Sequence, residues 1–181
     1  MLRMGDTLVL ATAVMSKGDK DLEYFPLSVE YEERFYASGQ ILGSRFIRRE
    51  GRPSDEAILS GRIVDRTIRP LFDSNLRKEV QVVITILSLD QYDPDVLGVV
   101  AASLALGTSK IPWNGPVSSV RIGKIKGQDK FLVNPSYKER GDENYEFDLI
   151  ACGKDGTINM IEVGGKEVPE EVLMQAMEKA T

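Results

Sequence analysis

Hydrophobic and polar residues follow a strand-like pattern along most of this chain. Runs rich in valine, isoleucine and leucine are separated by short polar segments that contain glycine, proline or aspartate. The pattern predicts strands at residues 7–14, 27–31, 80–89, 117–125, 130–133, 147–151 and 158–163. Turn sequences at residues 126–129 and 154–156 join the later strands, so we expect a meander of antiparallel pairs in the second half.

Two segments with helical spacing interrupt these strands. The first spans residues 55–68 and follows Pro53 and Ser54, with two carboxylates in its first turn, where negative charge stabilises a helix. The second spans residues 94–106, starts after Asp93 and is apolar on all sides, so we place it in the core. A further amphipathic helix is expected at the end of the chain. Together the elements predict an α+β fold, with a sheet and helices packed over it.

Composition narrows the possible chemistry. At 181 residues, with 42% hydrophobic residues, the chain has the length of one globular domain. It contains no histidine and one cysteine, Cys152, which excludes intrachain disulfides, the usual zinc sites and histidine-dependent triads. Cys152 lies in an apolar strand and is expected to be an unreactive core residue. The chain has neither an apolar run of the ~18 residues that a membrane helix needs nor a secretory signal, so we expect a cytoplasmic protein without membrane contact.

Charge is distributed unevenly along the chain. The formal net charge is −5, yet residues 45–69 contain seven arginines and four acidic residues, which gives this segment +3. Arginine supplies every positive charge here, and its guanidinium fork suits bidentate recognition of phosphate. The local excess predicts an anionic partner or, alternatively, an internal network of ion pairs.

Three of these arginines lie in or beside the first predicted helix. At about 100° per residue, Arg62, Arg66 and Arg69 fall within roughly 60° of one another, opposite the apolar side. Pro70 disfavours helical geometry at Arg69, so that residue is expected just past the helix end. The stripe suits an anionic ligand, while ion pairing with acidic residues of the same helix remains the alternative.

A glycine-punctuated loop precedes this helix. The sequence GQILGSRFIRREGRPS places Phe46 beside Arg48 and Arg49, with Arg52 close behind. An aromatic ring that stacks on a base, flanked by guanidinium groups that bind phosphates, is a typical contact to single-stranded RNA. The alternative is that Phe46 anchors the loop in the core.

Four longer blocks carry a resemblance to a known family. They are FPLSVEYEERFYASGQ, FIRREGRPSDEAILSGRIVDRTIRPLF, LSLDQYDPDVLGVVAASLAL and IPWNGPVSSVRIG, within a likeness that extends from about Gly5 to the end of the chain. The sequence resembles the polynucleotide phosphorylase family, in particular the first of its two ribonuclease PH-like domains. The resemblance implies a ribonuclease PH-like fold (ribosomal protein S5 domain 2-like), with a mixed sheet packed with helices.

The same resemblance implies an activity for the whole protein. The family degrades RNA from its 3′ end by phosphorolysis, releases nucleoside diphosphates and acts in mRNA degradation, with Mg²⁺ or Mn²⁺ as cofactor. Its members form a homotrimeric ring, and single-stranded RNA threads through the central channel. The expected partners are therefore RNA, two further copies of the protein and inorganic phosphate.

The catalytic features of the family are altered in this segment. In the family, the second ribonuclease PH-like domain holds the active site, with a serine-rich helix start for phosphate and a set of two acids and a lysine. Here the corresponding helix start, residues 93–95, reads Asp-Pro-Asp and presents carboxylates where an anion would have to bind. Asp142 and Asp148 match the acids, but Ile150 replaces the lysine. The resemblance therefore implies no catalytic or metal-binding residue here, with phosphate and metal bound in a second domain.

The resemblance also assigns candidate RNA contacts. Phe46, Arg48 and Arg49 match three of the four places of an aromatic and arginine motif at the family's channel constriction, and Ile47 replaces the second aromatic residue. The arginines of the predicted helix match family arginines that line the RNA path. The candidate RNA-binding residues are Phe46, Arg48, Arg49, Arg52, Arg62, Arg66 and Arg69.

Three functions remain open for the chain. The first is a non-catalytic domain that guides RNA and assembles the ring. The second is an independently active ribonuclease PH-like exonuclease. The third is a structural domain whose arginines serve subunit contacts. The strand pattern begins almost at the first residue, and the last helix stops at Thr181. We therefore expect a single ribonuclease PH-like domain at residues 1–181, truncated at both ends, with the second catalytic copy and the KH and S1 modules outside it.

Overall fold

The computed structural model describes residues 1–41 and 51–181. Two four-stranded sheets pack on either side of two helices, which are described below. The first sheet has the order β1-β2-β4-β3 and consists of β1 (Leu2–Met4), β2 (Thr7–Asp19), β3 (Leu27–Glu33) and β4 (Lys78–Ser88). Strand β2 runs antiparallel to β1 and β4, whereas β3 runs parallel to β4. Parallel neighbours need a crossover, and helix α1 (Asp55–Ile68) lies in the connection between β3 and β4.

The second sheet confirms the predicted antiparallel pairs but not a simple meander. Its order is β6-β5-β7-β8, from β5 (Ser118–Ile125), β6 (Leu132–Val133), β7 (Tyr145–Lys154) and β8 (Thr157–Gly165). Strand β5 therefore lies between β6 and β7. The turn between β7 and β8 places Asp155 and Gly156 at φ values of 51° and 73°. Two successive positive φ values are what a tight two-residue hairpin turn needs, and aspartate followed by glycine adopts them readily.

Helix α2 (Pro94–Gly107) lies in the main core, as its apolar sequence predicts. It contacts both sheets, and Val99 and Ala102 are fully buried. A methyl group added at Gly98 would lie 3.5 Å from the side chains of Ile84 and Tyr31, so the small residue permits close approach to the first sheet. The α+β prediction is therefore confirmed. Within the described residues, no helix has the combination of length and hydrophobicity that crossing a membrane requires.

Helix α4 (Glu170–Ala180) covers the outer face of the second sheet. A second apolar cluster forms there around Phe147 and Leu149, with Ala176 of the helix fully buried against them. On the inner face of the same sheet, Cys152 is 1% exposed, and burial raises the pKa of its thiol. The prediction that Cys152 is a core residue is confirmed.

Two short elements were not predicted from the sequence pattern. Strand β1 has three residues, and it pairs with β2 through a turn at Gly5, whose φ is 60°. A methyl group added there would lie 2.9 Å from the ring of Tyr92, so glycine is required at this position. Helix α3 (Tyr137–Arg140) has four residues. Both elements are shorter than the windows in which hydrophobic periodicity becomes visible.

The burial of α2 predicts a large difference between two leucines of the same helix. Leu106 is 1% exposed and Leu104 is 50% exposed. We expect Leu106→Ala to lower the free energy of unfolding by about 2–5 kcal/mol, because it removes buried methyl groups and leaves a cavity. Leu104→Ala is the matched control and should change stability by less than about 1 kcal/mol. Urea unfolding followed by circular dichroism measures both, and equal losses would contradict the placement of α2.

Candidate nucleic-acid interface

Helix α1 begins at a capping residue that also contacts the first sheet. Ser54 Oγ accepts a hydrogen bond from the backbone N–H of Ala57 at 3.0 Å and donates one to Glu33 Oε2 at 2.7 Å. Glu33 is the last residue of β3. The predicted helix start is thus confirmed, and the cap holds the first turn of α1 at the end of β3.

The outer face of α1 carries two arginines that have no partner among residues 1–41 and 51–181. Arg62 and Arg66 are exposed, and they lie one helical turn apart. Neither makes a hydrogen bond or an ion pair with any residue that the structure describes. Like charges at this spacing destabilise a helix by about 0.2–0.5 kcal/mol, so the pair does not serve the stability of α1. Both guanidinium groups can therefore receive an anion from solution.

Arg52 lies near the same end of the helix. It is exposed, two residues before the capping serine, and it has no hydrogen-bond or ion-pair partner within residues 1–41 and 51–181. Its charge therefore adds to the positive surface of α1. The other predicted contacts before the helix, Phe46, Arg48 and Arg49, lie outside the described residues, as does Ile47.

Arg69 differs from the other arginines because its guanidinium group is engaged. Its Nη2 and Nε atoms donate to Asp65 Oδ1 at 2.6 Å and to Asp65 Oδ2 at 3.0 Å. It also donates to the carbonyl oxygens of Leu27 at 3.1 Å and Phe25 at 3.4 Å. It lies just past the end of α1, as predicted, but its backbone keeps helical dihedral angles, φ −55° and ψ −44°, although Pro70 follows. The intramolecular alternative therefore describes Arg69, while its role in RNA binding stays a prediction.

A second group of charges lies at the start of α2. Asp93 caps the helix, and its carboxylate accepts a hydrogen bond from the backbone N–H of Asp95 at 2.9 Å. Arg121 of β5, whose side chain is 5% exposed, forms ion pairs with Asp93 at 2.9 Å, with Asp95 at 3.4 Å and with Asp148 of β7. Arg140 of α3 also pairs with Asp93 and, at 3.4 Å, with Asp148. We call these five residues the aspartate–arginine network.

Tyrosines complete the coordination of this network. The hydroxyl of Tyr31 donates to Asp95 Oδ1 at 3.1 Å, and the hydroxyl of Tyr145 donates to Asp148 Oδ1 at 3.0 Å. Burial, followed by the negative charge of Asp93, raises the pKa of Asp95 to about 6. The network is therefore held by charge-assisted contacts that involve β3, α2, β5, α3 and β7.

At the start of α2, the charged groups pair with one another beside a cleft of about 480 Å³ that Asp93, Asp95 and Arg121 help to line. The first turn carries two carboxylates and a proline, and the two arginines are already paired with aspartates. Ile150, in the place of the family's lysine, is buried, and Asp142 is an exposed loop residue that accepts a hydrogen bond from the backbone N–H of Asn144. Since the acids are committed to arginines or to backbone N–H groups, they do not fit Mg²⁺ or Mn²⁺, which require free oxygen ligands. Sequence analysis did not identify Arg121 or Arg140.

The raised pKa of Asp95 predicts a defined pH dependence of stability. A carboxyl group whose pKa is about 6 when folded, against 3.8 ordinarily, stabilises the fold at low pH and loses that contribution as the pH rises through 6. Relative to Asp95→Asn, the unfolding free energy of the unmodified chain should therefore fall between pH 4 and pH 7, by at most about 3 kcal/mol.

Denaturant unfolding of both chains across this pH range tests the prediction. Asp129→Asn is a suitable control because Asp129 is exposed and makes no hydrogen bond within the described part of the chain. Its difference from the unmodified chain should not vary with pH in this window. If the difference in unfolding free energy between Asp95→Asn and the unmodified chain did not change with pH, Asp95 would ionise in the folded chain as it does in water.

Comparison with known proteins places this geometry in a family. Residues 1–112 match the model of the 3′ exoribonuclease family, domain 1, and residues 115–181 match that of domain 2. The two matches meet between α2 and β5, where the chain passes from the first sheet to the second. The resemblance inferred from the sequence blocks is confirmed.

Relatives with similar sequences are much longer than this chain. The polyribonucleotide nucleotidyltransferase of Thermus thermophilus is 50% identical over 181 residues, which cover 99% of this chain and 25% of the relative. The protein of the same name from Desulforamulus reducens is 46% identical over 178 residues, 98% of this chain and 23% of the relative. The chain therefore spans about a quarter of the length of these curated relatives.

A solved structure shares the fold. It is described as the Archaeoglobus fulgidus exosome with RNA bound to the active site, and the matched chain superposes with a TM-score of 0.73 at 22% identity. The match covers 98% of this chain and 76% of that chain. Because the two family matches span nearly all of its residues, the chain belongs to the 3′ exoribonuclease family.

Proposed function

We propose that this chain is the first ribonuclease PH-like domain of a phosphorolytic 3′ to 5′ exoribonuclease, and that it guides RNA and assembles a ring without performing catalysis. The observation that carries the proposal is the pair of exposed arginines on α1, Arg62 and Arg66, which have no partner in the described part of a chain whose net charge is −5. The length and name of the relatives support the placement within a longer enzyme.

The whole protein would carry out the chemistry elsewhere in its sequence. Inorganic phosphate would cleave the last phosphodiester bond at the 3′ end of RNA and release a nucleoside diphosphate, in cytoplasmic mRNA degradation. The Mg²⁺ or Mn²⁺ ion, the phosphate and the catalytic residues would belong to a second ribonuclease PH-like domain. Three copies of the protein would form the ring.

The aspartate–arginine network supports a non-catalytic role for this domain. A phosphate ion at the start of α2 would face the carboxylates of Asp93 and Asp95, and like charges repel strongly where water is excluded. The backbone N–H of Asp95, which such an ion would need, already donates to Asp93. Both observations support catalysis at a site outside this domain.

The arginines of α1 suit contacts to the RNA backbone. Two guanidinium forks one turn apart can each bind a phosphate through paired hydrogen bonds. Arg52 and the loop residues Phe46, Arg48 and Arg49 would extend this contact, with the aromatic ring stacking on a base. Because phosphates are the same in every sequence, we expect binding to single-stranded RNA with little sequence preference.

Exposed apolar residues support the assembly part of the proposal. Ile58 and Leu59, beside the arginines on α1, are 51% and 52% exposed. Adjacent apolar side chains rimmed by charge are typical of surfaces that another protein covers. The structural alternative, in which arginines serve subunit contacts, therefore concerns the same face of α1. A measurement of RNA affinity distinguishes RNA guidance from this alternative.

Salt-dependent binding tests the RNA contacts. For a short fluorescent oligoadenylate, the slope of log affinity against log salt should become shallower by about 0.7 for each lost phosphate contact. We expect this change for Arg62→Ala with Arg66→Ala, and separately for Arg48→Ala with Arg49→Ala. The matched control is Lys126→Ala with Lys130→Ala, which removes two exposed charges from the turn after β5. Unchanged slopes in both arginine variants would favour the structural alternative.

An activity assay tests the non-catalytic assignment. The purified chain, incubated with RNA, inorganic phosphate and Mg²⁺, should release no nucleoside diphosphate, because carboxylates lie at the start of α2, where phosphate would have to bind. A full-length polyribonucleotide nucleotidyltransferase serves as the positive control. Phosphate-dependent release by the chain itself would instead establish an independent exonuclease.

A further inference from the structure

A negative charge lies within reach of the exposed arginine pair. Asp65 is three residues after Arg62 and directly before Arg66 on α1. Residues three apart on a helix are neighbours, so an unoccupied carboxylate at this position would pair with Arg62. That pairing would neutralise one of the two guanidinium groups proposed to bind RNA. The structure shows a different arrangement.

Arg69 donates hydrogen bonds to both carboxylate oxygen atoms of Asp65. Nη2 contacts Oδ1 at 2.6 Å and Nε contacts Oδ2 at 3.0 Å, which is a bidentate ion pair. The Asp65 side chain is 26% exposed and that of Arg69 is 42% exposed. Such two-bond contacts are stronger and more directional than single ones. The carboxylate is therefore turned toward the end of the helix, and both of its oxygen atoms already accept a hydrogen bond from Arg69.

The direction of Arg69 is fixed by a second set of contacts. Its guanidinium group also donates to the carbonyl oxygens of Leu27 and Phe25, at the start of β3 and just before it. These backbone acceptors belong to the first sheet and cannot move independently of it. They hold Arg69, and with it Asp65, on the side of α1 that faces β3.

We propose that Arg69 is a positioning residue, which keeps Asp65 away from Arg62 and so preserves the positive charge of the Arg62 and Arg66 pair. The proposal rests on the proposed function, in which that pair binds RNA. It assigns Arg69 an indirect role in place of the direct RNA contact that the sequence predicts. A lone unit charge about 6 Å from a phosphate changes affinity in water by roughly threefold, which is a measurable effect.

A double-mutant cycle on the full chain tests this role. Arg69→Ala frees Asp65, so affinity for the fluorescent oligoadenylate should fall about threefold and the salt slope should become shallower by about 0.7. Adding Asp65→Asn removes the competing carboxylate, so the double variant should recover the affinity and slope of the unmodified chain. If Arg69 itself binds a phosphate, the double variant will keep the shallow slope of Arg69→Ala, and the proposal is overturned.

A control separates this mechanism from a general change in charge. Asp55→Asn, combined with Arg69→Ala, also removes one exposed negative charge from α1, but at the opposite end of the helix. It should not restore the slope, and equal rescue by both aspartate changes would overturn the proposal. Arg69→Gln provides a second variant if Arg69→Ala fails to fold, since its amide can still donate to the carbonyl of Leu27.

The outcome also distinguishes this inference from the proposed function. If Arg62→Ala with Arg66→Ala leaves RNA affinity unchanged, the α1 surface does not bind RNA, and the positioning role fails together with the α1 part of the proposed function. If that variant weakens binding while the Asp65 and Arg69 double variant shows no recovery, only the positioning role fails. Thermal unfolding by circular dichroism confirms that each variant is folded under the conditions of the binding assay.

Discussion

The burial of α2 between two sheets is the constraint on which the rest of the structure depends. A helix that is apolar on all sides brings its first turn into the protein along with its core residues, so the charges there lose contact with water. Asp93 and Asp95 must then find partners, and Arg121 and Arg140 provide them from β5 and α3. The ion pairing at the start of α2 thus follows from helix burial combined with two carboxylates at the helix start.

Much of this fold could be predicted from local sequence. The bounds of α1 and the start of α2 follow from capping residues and periodicity, and the strands follow from β-branched residues and turn signals. The aspartate–arginine network could not be predicted, because its members come from α2, β5, α3 and β7. Arg121 gave one signal, as a charge between the apolar residues Val120 and Ile122, but its partners are defined only by the packing of the two sheets.

The arginines of α1 also show where prediction from local sequence stops. Helical geometry correctly placed Arg62 and Arg66 on the outer face of α1, and Asp65 was recognisable from its spacing as a partner for Arg69. The carbonyl oxygens of Phe25 and Leu27 were not recognisable, because they meet Arg69 only when β3 packs beside α1. Sequence therefore predicts which side chains share a helical face, whereas tertiary packing decides which of them are free to bind a ligand.

Under the proposed function, the contrast between the two charged regions would let an acidic chain bind a polyanion. At physiological ionic strength, interactions between exposed charges are screened beyond about 8 Å, so RNA responds to the charges beside it and little to the net charge of −5. In the network, aspartates and arginines neutralise one another within the protein. On α1, Arg69 forms an ion pair with Asp65, and Arg62 and Arg66 remain exposed. Ion pairing thus neutralises charge where the fold buries it and leaves positive charge exposed on the outer face of α1.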